Sequence, residues 1–180
     1  MAAPACTFSP NLEEFSIPAA EYLKSHPSLA GLVVSALVFH NFEGPSRRVL
    51  LIQRAATDGF PHKWEIPGGG AEATDGTVLD AVCREVHEET GLVVTKILQK
   101  ADVTDEWEAR SGGRWRKLTF VVEVEGDDDE KKAPKVKLSP EEHQDLYWAT
   151  LEEIENSKFS DGREIDFAYD MQRGTILGLF

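Results

Sequence analysis

Three carboxylates fall within five residues in the run Arg84, Glu85, Val86, His87, Glu88, Glu89, Thr90, Gly91, Leu92. A glycine triplet, Gly68 to Gly70, stands upstream. Between the two, Val78, Leu79, Val82 and Val86 recur at helical spacing, so residues 64 to 93 read as loop, helix, loop. At about 100° per residue, Glu85, Glu88 and Glu89 share one flank of that helix, beside the apolar stripe and not opposite it. Acids at i, i+3 and i+4 repel, and the repulsion grows as water is excluded, so the helix calls for cations along this flank. A hard divalent ion suits the need, because magnesium takes oxygen donors and commonly sits between one or two carboxylates and a substrate phosphate. An isolated Glu-x-x-Glu-Glu would read more blandly, as a solvated acidic face.

The helix ends are marked as well. Thr77 followed by Asp80 resembles a capping box, with Asp75 as an alternative cap, and Gly91 suits a left-handed C-terminal cap. Glycines at 68 to 70 tolerate positive φ and let a backbone carbonyl or amide approach an ion closely.

Taken together, these residues resemble the signature of the Nudix hydrolase family: a Gly, five residues, a Glu, seven residues, then Arg-Glu-apolar-x-Glu-Glu-x-Gly-apolar. Arg84 through Leu92 matches at every specified position, and Gly70 stands at the spacing of the leading glycine. One position departs. Gly76 occupies the place of the first Glu, with Asp75 one residue away and Glu72 earlier in the loop. In the family that Glu is understood to support the box arginine, so the departure bears on loop order and rate, not on the metal site.

The resemblance implies Mg2+ or Mn2+ held by Glu85, Glu88 and Glu89 with the Gly70 backbone nearby. It also implies a small-molecule diphosphate substrate, in which a nucleoside diphosphate is linked to another moiety. Glu85 is the expected base within the box, and Arg84 completes it. Family members often draw a further carboxylate from a loop before the final strand, and here Ser139 to Gln144 precedes Leu146, Tyr147 and Trp148. Glu142, next to His143, is the expected acid, although Ser139-Pro140-Glu141-Glu142 is also an ordinary helix start. Two alternatives remain open: a non-catalytic module binding a nucleotide or a protein, and a hydrolase of a prenyl or inositol diphosphate.

The chain of 180 residues suits one domain, read as an N-terminal arm over 1–30 and a single catalytic unit over 31–180 with the box at 70–92. A net charge of −13 argues against DNA, RNA or anionic lipid as partners, all of which call for a basic footprint. No apolar run approaches the roughly 20 residues of a membrane helix. The first ten residues lack the charged and apolar regions of a secretory signal, so a cytoplasmic enzyme is expected, of unspecified oligomeric state. Cys6 and Cys83 show no metal-like spacing and little reason to form a disulfide, and Cys83 reads as a small packing residue.

Apolar runs predict strands over 31–40, 48–53, 93–98, 115–124 and 146–149, with a short one at 64–67. Residues 151–156 read as a helical turn, and 165–173 as a closing helix docked by Phe167, Tyr169 and Met171. The charged run 126–137 reads as a mobile loop. Around Gly112 and Gly113, Trp107, Arg110, Arg114, Trp115 and Arg116 could stack a base and hold a phosphate, with Arg54 as a further basic candidate. Strands broken by a central and a terminal helix imply an α/β class, and the family resemblance implies an α/β/α sandwich with a mixed sheet.

Overall fold

The computed structural model describes residues 6–42, 47–110, 112–126 and 132–180. The two longest apolar runs become β2 (Leu29–Asn41) and β3 (Arg47–Arg54). Both are buried on both faces over most of their length, which is why their sequences read as near-continuous hydrophobic runs instead of alternating ones. β2 pairs parallel with β8 (Arg114–Val124) and antiparallel with β3 and with the glycine strand β5 (Gly68–Gly70).

On the β8 side the mixed sheet continues through β6 (Val94–Lys100) to β1 (Thr7–Phe8), and the ribbon β7 (Asp105–Glu108) folds back onto β8. On the β3 side it continues to β4 (Trp64–Glu65) and β9 (His143–Thr150).

One face of this sheet is covered by α1 (Ala19–Ser25) and α2 (Val78–Thr90), the other by α3 (Leu151–Asn156) and α4 (Asp170–Leu177). Each face has its own apolar core. Val78, Val82 and Val86 of α2 meet Val34, Leu118 and Phe120 in the first, and Ile154 and Ile176 meet Leu37, Leu51 and Trp64 in the second. The result is the expected α/β/α sandwich. Among the described residues no helix is long and apolar enough to cross a membrane.

The N-terminal segment is more ordered than an extended arm. Leu12, Phe15 and Tyr22 are buried in the first core, and β1 covers the edge of β6 in parallel register. Cys6, at the mouth of β1, is thereby brought to α2 and forms a disulfide with Cys83. This corrects the sequence expectation for the cysteines, since a pairing across 77 residues has no signature in local spacing.

The closing helix is also corrected: it spans Asp170–Leu177, not 165–173. Residues 164–169 are instead extended, with Trp64 N–H donating to Asp166 O and Ala168 N–H donating to Trp64 O. Phe167 and Tyr169 therefore precede the helix, and Met171 on its first turn is exposed. The ribbon strand β7 and the helix α1 were not read from the sequence. Of the charged run 126–137, residues 127–131 lie outside the described residues.

Candidate active site

The box helix starts where Thr77, in extended conformation, accepts from the Asp80 N–H, and ends at Gly91 with φ 67°. Its last carbonyls would otherwise lack partners. The incoming segment before β9 supplies them: Lys137 N–H donates to Thr90 O (2.7 Å) and Ser139 N–H to Glu89 O (3.1 Å). The next turn, in which Glu142 N–H and His143 N–H both donate to Ser139 O, sets Glu142 beside the helix. Ala55 N–H donating to Glu142 O (2.8 Å) pins it from the other side. Ser139-Pro140-Glu141-Glu142 is thus a turn pinned to the box, not a helix start.

Arg84 organises the outer half of the site. Its guanidinium donates twice to Asp75 (Nε to Oδ1 2.8 Å, Nη2 to Oδ2 3.0 Å), once to Gly70 O (2.9 Å), and through Nη1 to Glu85 (2.8 Å) and Glu88 (3.0 Å). Asp75 therefore takes the support that the family signature assigns to a Glu one position later. A Cβ at Gly76 would stand 2.8 Å from Asp80 Oδ2, the end of an exposed side chain that can swing aside. Burial alone would raise the Asp75 carboxyl, but the Arg84 hydrogen bonds and the backbone N–H of Glu72 outweigh it and hold it below its ordinary value.

The inner half is a buried acid cluster. Glu89 accepts from Gly68 N–H (2.7 Å), and its carboxyl is pushed up to about 9, first by burial and then by the neighbouring Glu65, Glu85 and Glu142 carboxylates. Glu85 is likewise raised, mainly by burial, against the pull of Arg84. It lies so close to the glycine strand that a Cβ at Gly69 would meet its Oε2 at 2.7 Å. That contact explains a glycine at 69 where no positive φ requires one.

Deeper still, Glu65 accepts from Arg54 Nη1 (2.6 Å) and from His143 Nε2 (3.2 Å), and His143 Nε2 stands 3.8 Å from Glu89.

Ligand atoms from Glu89, Glu142 and His143 all lie within 4.8 Å of one another. Arg84 is shared among Asp75, Glu85 and Glu88, which leaves Glu89 and Glu142 without an arginine or lysine ion pair among the described residues. A mostly oxygen donor set with surplus negative charge fits a hard divalent ion. Glu85, Glu88 and Glu89 on α2, Glu142 beside them and Gly70 on the adjacent strand are the groups that could hold it.

Beyond His143 and Glu65 lies a cavity of about 480 Å³ between β7, β8, the 166–171 segment and the loop before β4. That loop carries Phe60 and His62 at φ 56° and 64°. Left-handed backbone at such residues costs about 1–3 kcal/mol each and clusters at functional sites. Phe60 is exposed at the rim, its ring 5.8 Å from the Tyr169 ring, centroid to centroid.

The basic and aromatic residues expected to bind substrate are scattered by the fold. Trp107 lines the cavity. Trp115, opposite it in the ribbon, lies over Gly31, where its ring occupies the space of a Cβ. Arg116 turns to the other face of β8 and donates to Tyr22 Oη and Glu106, and Arg114 joins Glu106 and Glu108 there. Arg54 is taken up by Glu65, Asp58 and Gly59 O.

Residues that the sequence reading gave no part in the site are Glu65, Lys117 and Tyr169, the last read only as docking the closing helix. A charged residue between Trp64 and Ile66, and a lysine at the head of the apolar run Leu118 to Val122, were the available signals.

The family model for the NUDIX domain matches residues 31–168 of the chain. The chain belongs to this family. Among curated relatives, a protein named putative nudix hydrolase 1 of Caenorhabditis elegans is 27% identical over 150 residues, covering 83% of this chain and 36% of the relative. An RNA pyrophosphohydrolase of Bartonella quintana (strain Toulouse) is 38% identical over 71 residues, covering 38% of this chain and 39% of the relative. The matched NUDIX stretch is thus little more than a third of either relative's length.

Among solved structures, a MutT protein from Methanosarcina mazei Go1 superposes with TM-score 0.59 at 27% identity, over 81% of this chain and 88% of that one. A Caenorhabditis elegans Ap4A hydrolase binary complex gives TM-score 0.59 at 20% identity over 83% and 94%. The NUDIX domain of Shewanella oneidensis NrtR, complexed with ADP ribose, gives 0.58 at 20% over 89% and 97%. The last two bear on the fold.

Proposed function

We propose that this NUDIX protein is a divalent-metal-dependent hydrolase that cleaves the diphosphate linkage of a small nucleoside diphosphate derivative. The observation that carries the reading is the convergence of ligand atoms from Glu89, Glu142 and His143 within 4.8 Å of one another, with Glu85 close enough for its carboxyl to feel the Glu142 charge. A bound Mg2+ or Mn2+ would supply charge neutralisation of the diphosphate and acidification of water.

The chain's residues supply the rest. Arg84 fixes Glu85 and Glu88 on the helix flank and ties the flank to the Gly70 carbonyl, so the acids are set before substrate arrives. Among the described residues no donor engages the Glu142 carboxylate, which leaves its oxygens free to take the proton of a water attacking phosphorus, as the P–O bond to the bridging oxygen breaks. Glu85, already bonded to Arg84, is the less available of the two candidate bases.

A panel of nucleoside diphosphate derivatives, dinucleoside polyphosphates, prenyl diphosphates and inositol diphosphates, assayed for magnesium-dependent phosphate-ester release, tests the proposal. Turnover of a nucleoside compound that Glu142→Gln lowers in kcat more than in KM is the expected result. Protein inert toward every compound at saturating magnesium and manganese would instead mark a binding module.

A further inference from the structure

The cavity beside the acid centre has three aromatic side chains at its rim and, on its floor, Asp105 and Lys117, which form no ion pair with each other. Tyr169 stands 5.8 Å from Phe60 and 6.2 Å from Trp107, ring centroid to centroid. Such an arrangement offers faces for a flat ring to stack on. On the floor, Asp105 and Lys117 are directly opposed in the β7–β8 ladder, so their side chains leave the sheet on the same face.

They are not bonded to each other. Asp105 Oδ1 is buried and has no hydrogen-bond partner. Lys117 is buried almost completely, with Nζ 4.8 Å from the Tyr169 ring centroid. With the Gln172 amide oxygen turned toward it, Nζ donates one hydrogen bond at 3.3 Å, and two of its three donors remain. A buried acceptor and a buried donor, left open side by side under stacking faces, are costly unless a ligand completes them.

We infer that this cavity is a base pocket in which Asp105 and Lys117 read a lactam edge, the N–H next to C=O that guanine, hypoxanthine, uracil and thymine share. The ring N–H donates to the Asp105 carboxylate and the carbonyl oxygen accepts from the Lys117 ammonium. Adenine and cytosine offer an amino group beside a ring nitrogen, a weaker donor and a weaker acceptor. A charged acceptor next to a charged donor selects the more polar edge.

The pocket lies where such a base would need to be. Lys117 and Tyr169 are close enough to Glu65 and Glu89 to feel their charge, so the phosphates of a nucleotide seated here would extend toward the acids. That last step rests on the proposed hydrolase reading, whereas base selection does not. The rival account makes Lys117 a counter-charge for Glu65 and Glu89 and nothing more.

Binding of GMP, UMP, AMP and CMP, measured by calorimetry in EDTA without turnover, separates the accounts. GMP, UMP or both should bind at least about tenfold more tightly than AMP and CMP, the scale of one well-placed bidentate reading. Comparing GMP with UMP then tells a purine pocket from a pyrimidine one. Asp105→Ala should abolish the selectivity, Lys117→Met should do the same, and Trp107→Ala should weaken all four. Equal or tighter binding of AMP or CMP, selectivity that survives Asp105→Ala, or no binding of any of the four at millimolar concentration would overturn the inference. A selective but inert protein would sink only the hydrolase reading. An active hydrolase without base selectivity would sink only this one.

Discussion

The two walls of the cleft are built in opposite ways. The acid wall is organised by residues 68–92, one strand and one helix, with Glu142 and His143 brought in by the turn before β9, and its side chains are crowded with partners: Arg84 alone serves Asp75, Glu85, Glu88 and the Gly70 carbonyl. The aromatic wall is gathered from four separate stretches around 60, 105–107, 117 and 166–171, and its Asp105 Oδ1 is left without a hydrogen-bond partner. A wall assembled from neighbours in sequence can be held by helix geometry and hydrogen bonds. One assembled from afar depends on sheet register.

The strongest test of this contrast is Glu89→Gln. If the acid wall carries the chemistry, metal-dependent kcat should fall at least about 100-fold, the loss of one strong electrostatic contribution, while the thermal midpoint holds or rises. A fall below tenfold would move the chemistry away from the box.

Next comes Asp75→Ala, expected to lower stability by about 1.5–3 kcal/mol, because a charged hydrogen-bond pair is broken and Arg84 loses its main support. Chemical denaturation reads this directly. Gly76→Glu in the wild-type background should add little, since Asp75 already serves Arg84, whereas the same change should rescue Asp75→Ala. The pair also sets a pH dependence. The Asp75 carboxyl is held below its ordinary value of 3.8 in the folded chain, so its contribution is fully present above that value and is lost as the pH falls through the lower folded one. Asp75→Asn should flatten the stability curve in that acidic window.

On the aromatic wall, Trp107→Ala should raise KM by the equivalent of about 1–3 kcal/mol of base stacking, with a smaller effect on kcat. An unchanged KM would detach this wall from the substrate. The smallest effect belongs to a position outside both walls. Thr150 caps α3 in a reciprocal pair with Glu153, so Thr150→Ala should cost about 1 kcal/mol in denaturation and leave turnover alone.

The same contrast explains what the sequence could tell. Helical spacing from Val78 to Val86, the Thr77 cap, the Gly91 cap and the Glu85, Glu88, Glu89 flank are local patterns, and each one reappears in the fold. β2, β3 and β8 were legible because continuous apolar runs mark strands buried on both faces. Arg114 and Arg116 looked like phosphate binders only because sequence does not show that Glu106, Glu108 and Tyr22 lie beside them. Lys117, one residue further, faces the cavity, and a period-two alternation separates the two lysine and arginine fates. Nor could spacing show that Asp75 reaches Arg84, because the loop from Gly70 to Gly76 has no periodicity to read.

The hydrogen bonds from Lys137 and Ser139 to the last carbonyls of the box helix carry one more consequence. They act as a mooring: whatever length of chain runs between Gly126 and Lys137, Glu142 takes its position from the helix and not from that chain. Segments inserted or deleted there would be free to diversify, adding a regulatory tail or a docking sequence, while the distance between Glu142 and Glu89 stayed fixed.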